Sequence, residues 1–148
     1  VSSEAIALIE QARRTKNWSP LVEAIPYARF LGISLEELGG ALIGRMRFDA
    51  HLVGNPTLPA LHGGALGGFL ESAAHFELMY RAEEVVLPKT VTLTIDYLRS
   101  GKPVDTFARA TLFKQGRRVA TLHAHAWQDD ESKPIAFATV HLLTLGAA

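Results

Sequence analysis

The chain has 148 residues, of which 48% are hydrophobic and 20% charged, the length of one domain with enough apolar material for a sizeable core. Fifteen Lys and Arg balance fifteen Asp and Glu, so the formal net charge is zero and no global field would hold a polyanion such as nucleic acid. With no cysteine, disulfides, thiolate nucleophiles and Cys-type zinc sites are excluded.

From Ser3 to Lys16, Ile6, Ile9 and Ala12 recur at helical spacing and predict a short amphipathic helix. Glu4, Glu10 and Arg13 interrupt the apolar run that a signal peptide needs, and the Leu52–Leu70 stretch is broken by Asn55, Pro56, Pro59 and glycines. These features point to a soluble, cytoplasmic protein with no membrane partner. Leu21–Leu31 fits irregular or short helical structure broken at Pro26, and Ile33–Leu38 with Ala41–Phe48 flank Gly39-Gly40 as a hairpin would. After a loop containing Gly54, Asn55, Pro56 and Pro59 comes Leu61–Glu84, the only long helix candidate, apolar or small nearly all round as in a buried helix.

Four β-like runs follow: Lys89–Leu98, Asp105–Lys114, Arg117–Gln128 and Pro134–Leu145. In the third, Val119, Thr121, His123 and His125 fall on one face and Ala120, Leu122, Ala124 and Ala126 on the other. Two strands, one helix and then a run of strands make an α+β pattern, read as one antiparallel sheet curled around the helix.

Glu71 is a lone acid within the apolar run GGFLESAA, and an exposed stripe or a pairing with Arg81 would explain it without chemistry. At the helix start, His62, Gly63 and Gly64 leave backbone N–H groups without intrahelical partners, and the glycines let a substrate carbonyl approach one of them. A glycine-rich entry built for packing alone is the competing explanation. Gly63 and Glu71 are eight residues apart, about 12 Å along a helix, so one carbonyl reaches both only if the acid comes from a second copy.

These residues resemble the hotdog-fold acyl-CoA thioesterases, specifically the phenylacetate-pathway-like family. The similarity spans Leu31–Leu145: a loop asparagine, His-Gly-Gly, and an acid nine positions after the histidine, here Asn55, His62-Gly63-Gly64 and Glu71. Glu71 replaces the commoner Asp and is similar to the hydroxybenzoyl-CoA branch, while YLRS at 97–100 resembles the family's Tyr-Leu-Arg-Pro with Ser100 in place of proline. The resemblance implies a hotdog domain over 31–148 behind a helical extension over 1–30, assembled as a homodimer or homotetramer. It also implies hydrolysis of an acyl-CoA thioester without a cofactor. Glu71 would be nucleophile or general base, the Gly63 amide the oxyanion site, His62 an orienting group, Asn55 the loop residue and Thr90 the residue that binds the attacking water or the carboxylate. For His62 a capping or packing role, and for Thr90 an ordinary strand role, are the plain alternatives.

Coenzyme A carries phosphates, and Arg99 and Lys102 after one strand, or Lys114, Arg117 and Arg118 around the Gln115-Gly116 turn, could meet them; Gly64 joins the substrate-binding candidates beside Arg99, Lys102 and Arg117. No histidine pair has HExxH spacing, and GGALGG is neither a Walker loop nor a dinucleotide fingerprint, so no metal and no nucleotide hydrolysis are expected. Two rival functions remain: a hotdog dehydratase or hydratase using His62 or His75, and a non-catalytic acyl-CoA or lipid binder in which Glu71 is structural.

Overall fold

Gly39 and Gly40 both adopt positive φ, 59° and 78°, which places the first hairpin where the glycine pair predicts it. That hairpin joins β1 (Ile33–Leu38) to β2 (Ala41–Met46). The computed structural model describes residues 2–146; positions 1, 147 and 148, within the expected extension and domain, lie outside the described residues. Three helices precede the hairpin: α1 (Ser2–Thr15), α2 (Ser19–Glu23) and α3 (Pro26–Leu31). Pro26 opens α3 instead of breaking a helix, because its fixed φ suits a first-turn position whose N–H needs no partner; the break falls just before it. Gly32, in the left-handed region, closes α3.

After a 3-10 turn at Ala50–Leu52, β3 (Val53–Asn55) pairs with β4 (Ala60–Leu61), a small hairpin that the proline-containing loop sequence did not announce. The long helix α4 (Gly63–Arg81) follows, then β5 (Val86–Tyr97), β6 (Thr106–Gln115), β7 (Val119–Trp127) and β8 (Ala136–Gly146). Strand β7 begins at Val119, two residues later than expected, because Gly116 N–H bonds back to Val119 O and leaves Arg117 and Arg118 in the turn.

The main sheet is antiparallel with order β1-β2-β6-β7-β8-β5. Its inner face is small: Ala108, Ala110, Ala120, Ala124, Ala126, Ala136 and Ala138 are all buried, and α4 answers with Leu66, Phe69, Leu70 and Phe76. Small against large lets the sheet wrap closely around the helix, the hotdog arrangement. The α1–α3 segment completes this core with Ile9, Trp18 and Leu31, and Arg13 of α1 donates to Ala82 O at 2.6 Å just past α4.

Strand β5 lies at the sheet edge and is long, with Val91 60%, Tyr97 54% and the adjoining Leu98 54% exposed. It also carries a bulge: Thr90 pairs with Leu142 and Thr92 with His141, so Val91 has no opposite residue.

Candidate active site

The entrance to α4 is built by His62. Its Nδ1 accepts the Gly64 N–H at 2.8 Å, while its own N–H donates to Leu52 O at 2.8 Å. His62 is therefore an N-cap, and the Gly64 amide is engaged inside the protein. Gly54 faces this cap so closely that a Cβ there would stand 2.7 Å from His62 Cα. Gly63 differs from Gly64: its carbonyl accepts from the Tyr97 hydroxyl at 2.7 Å, and its N–H has no partner among the described residues. Asn55 is exposed, and its Oδ1 accepts from Thr57 N–H at 3.0 Å, folding its own loop.

Gly63 opens onto a cleft of about 350 Å³ walled by Leu61, Leu66, Tyr97, Leu98 and Arg99. Arg99 also borders a neighbouring recess of about 200 Å³ with Lys102, Lys133, Asp129 and Asp130. Two of the basic candidates thus stand at the glycine end of the helix. Arg117 does not; it lines a cleft beyond the far end of α4 where Glu83 and Glu84 outnumber it, whereas in the Arg99 recess three cations outnumber two carboxylates.

Glu71 lies on the incompletely covered stripe of α4 formed by Gly64, Gly68, Glu71 and His75, positions three or four apart and hence on one face. It is half-buried, and among the described residues it has neither an ion pair nor a hydrogen bond. The pairing with Arg81 does not form, because Arg81 Nε donates to Glu77 Oε1 at 2.7 Å and its NH2 group reaches Gly40 O at 2.6 Å. One turn after Glu71, His75 Nε2 stands 2.7 Å from Thr90 Oγ1. Burial lowers the His75 pKa below its ordinary value, opposed by the Glu71 carboxylate.

The structure therefore gathers Glu71 and Thr90 around His75, and Gly63 and His62 around the helix entrance. The two groups are about 12 Å apart within one chain. Tyr97 and Gly54 join the second group without having been singled out; for Tyr97 the YLRS stretch was a signal, for Gly54 none existed. On the outer sheet face, His123 stacks on Phe113 and lies tilted against Phe137, and His125 bonds Glu131 at 2.9 Å. Among the described residues no group of three or more His, Asp or Glu is arranged to hold a metal.

Residues 54–143 match the family model for the acyl-CoA thioesterase N-terminal domain, which is well over half of the chain. The chain belongs to this family. A protein from Chromobacterium violaceum is 41% identical with a TM-score of 0.75, the match covering 93% of this chain and 96% of that one. A thioesterase family protein from Silicibacter pomeroyi shares the fold at 24% identity and TM-score 0.75, covering 93% and 98% of the two chains. A Bacillus halodurans protein solved with CoA shares it at 20% identity and TM-score 0.72, covering 97% and 92%. No curated protein matches the sequence. The protein is thus a hotdog-fold thioester hydrolase of the acyl-CoA thioesterase type. No helix of this thioesterase, among the described residues, is long and apolar enough to cross a membrane.

Proposed function

We propose that this thioesterase hydrolyses acyl-CoA at a site shared between two copies, with Glu71 of one and the Gly63 amide of the other. The observation that carries this reading is the contrast, among the described residues, between a half-buried acid without an ion-pair partner and an unengaged glycine amide about 12 Å away on the same helix. Strand β5 supplies the means of assembly. It runs alongside α4 with Thr90 at His75, Ile95 against Gly67 and Tyr97 at Gly63, and its outer edge is unpaired among the described residues. Antiparallel pairing of two such edges about a twofold near Leu93 and Thr94 sets the Gly63 end of one copy against the Glu71 region of the other.

In such a site the Gly63 N–H donates to the thioester oxygen as negative charge develops there. Glu71 takes a proton from water, the water oxygen bonds to the carbonyl carbon, and the C–S bond breaks. The thiolate leaves with the CoA and receives the proton held by Glu71, so acid and coenzyme A are the products. Coenzyme A, bound by the Bacillus halodurans relative, would lay its phosphates near Arg99 and Lys102 at the cleft mouth. Thr90 would hold the water, and His62 the helix entrance.

Thiol release from a panel of acyl-CoA thioesters tests the reading. Glu71→Gln should lower kcat about a thousandfold. Gly63→Pro removes the N–H at the first helical position, where proline's fixed φ suits the backbone and the Tyr97 ring, 3.2 Å from the added Cβ, must give by a few tenths of an ångström; it should also be slow. Refolding the two variants together restores one intact site in each mixed dimer, roughly a quarter of native activity if each site draws on both copies. No recovery on mixing would place the two residues' actions within one chain and sink the shared site.

A further inference from the structure

Thr90 and Ile95 are five positions apart, and in a regular strand their side chains would point to opposite faces. Both nevertheless meet α4: Thr90 reaches His75, Ile95 lies against Gly67 and Tyr97 reaches Gly63. The Val91 bulge reconciles them by adding one unpaired residue to β5, which reverses the alternation between Thr90 and Leu93. Val91 itself is turned out to 60% exposure. The strand thus departs from regularity at the point that delivers a hydroxyl to the helix turn after Glu71.

We propose that His75 is a positioning residue for thioester hydrolysis: its Nε2 accepts the Thr90 hydroxyl proton and leaves that oxygen's lone pairs turned toward the water activated by Glu71. The inference rests on the reading of Glu71 given above. A water that donates one proton to Glu71 and the other to Thr90 Oγ1 presents its own lone pair to the thioester carbon. A Thr90 hydroxyl free to rotate could instead donate to that water and blunt its attack. His75 in the neutral form fixes the rotor.

The surroundings favour that form. His75 is partly buried, and its withdrawal from water holds the imidazole below its ordinary pKa against the pull of Glu71. Among the described residues, Glu71 on its own helix supplies the charge that raises it, and β5 contributes the neutral Thr90 hydroxyl. Protonated, His75 would donate to Thr90 and occupy the lone pair meant for the water. Activity should therefore fall on the acid side as His75 gains its proton, at a pH below about 6.5.

Steady-state hydrolysis of one good acyl-CoA substrate across pH, for the native protein, His75→Ala, His75→Gln, Thr90→Val and Glu71→Gln, tests this. His75→Ala and Thr90→Val should each lose roughly tenfold or more in kcat with little change in KM. His75→Gln, whose amide oxygen can accept without titrating, should recover most of the rate lost in His75→Ala and extend the plateau to more acidic pH. Native kcat in His75→Ala, or an unchanged acid limb in His75→Gln, overturns the inference; melting curves show which variants are folded, and the pH profile of His75→Gln decides if His75→Ala is not. Activity retained by Glu71→Gln would overturn the reading of the acid itself, whereas loss in Glu71→Gln with no effect at His75 would overturn only the positioning role.

Discussion

Glu71 and Glu77 stand on the same helix, yet their surroundings have little in common. Glu77 is 3% exposed, its Oε1 bonded to Arg81 and its Oε2 buried without a hydrogen-bond partner among the described residues. Burial raises its pKa, and the Arg81 hydrogen bond and charge, with a lesser contribution from Arg109, pull it back. Glu71 is more accessible and forms no ion pair among the described residues. The difference teaches that depth alone does not mark an acid open to a ligand: the deeper carboxylate is tied to a guanidinium four residues on, and the shallower one is left accessible.

The largest expected contrast is in catalysis. Glu71→Gln should cost about a thousandfold in kcat with a near-native melting temperature, whereas Glu77→Gln should stay within about threefold in kcat; comparable losses in both would dissolve the distinction. Stability should reverse the ranking. Arg81→Ala strands the Glu77 carboxylate in the interior and should destabilise by about 2 kcal/mol in urea unfolding, with the double variant Arg81→Ala, Glu77→Gln recovering part of the loss.

A subtler difference lies in pH. The folded-state pKa of Glu77 is raised above the unfolded one, so the native state binds more protons and stability declines as pH rises from the ordinary glutamate value through the folded value. Urea midpoints measured across that window should fall for the native protein relative to Glu77→Gln; parallel curves would show that Arg81 compensates burial fully. The smallest effect is reserved for the helix entrance. Tyr97→Phe removes the hydrogen bond to Gly63 O and should cost about 0.5–1 kcal/mol in stability, with a few-fold loss in kcat if the Gly63 peptide must be held still.

Much of this was legible in the sequence where one residue type has one physical use. The Gly39-Gly40 turn, the alternation through β7 and the apolar helix all follow from local rules, and an acid inside GGFLESAA stands out for the same reason. Helix geometry also argues against Arg81 as partner of Glu71: ten residues is about 15 Å of axis, while Glu77 lies one turn from Arg81. What sequence could not supply depends on contacts between distant segments. The seating of Gly54 against His62, the bond between His75 and Thr90, and the bulge at Val91 each require knowing which strand lies beside which, and at what register. Arg99 and Arg117 read alike as basic residues near strand ends, and only the course of the chain puts one beside Gly63 and the other among glutamates.

The helices ahead of β1 bear on how the molecule could be shortened. A fragment begun at residue 54, where the match to the family model starts, would discard Ile9, Trp18 and Leu31 from the core and would also remove β1 and β2. Strand β6 would then replace β1 as an edge, beside an opened apolar interior, a template for disordered self-pairing between copies in addition to the edge that β5 offers. Such a fragment should aggregate.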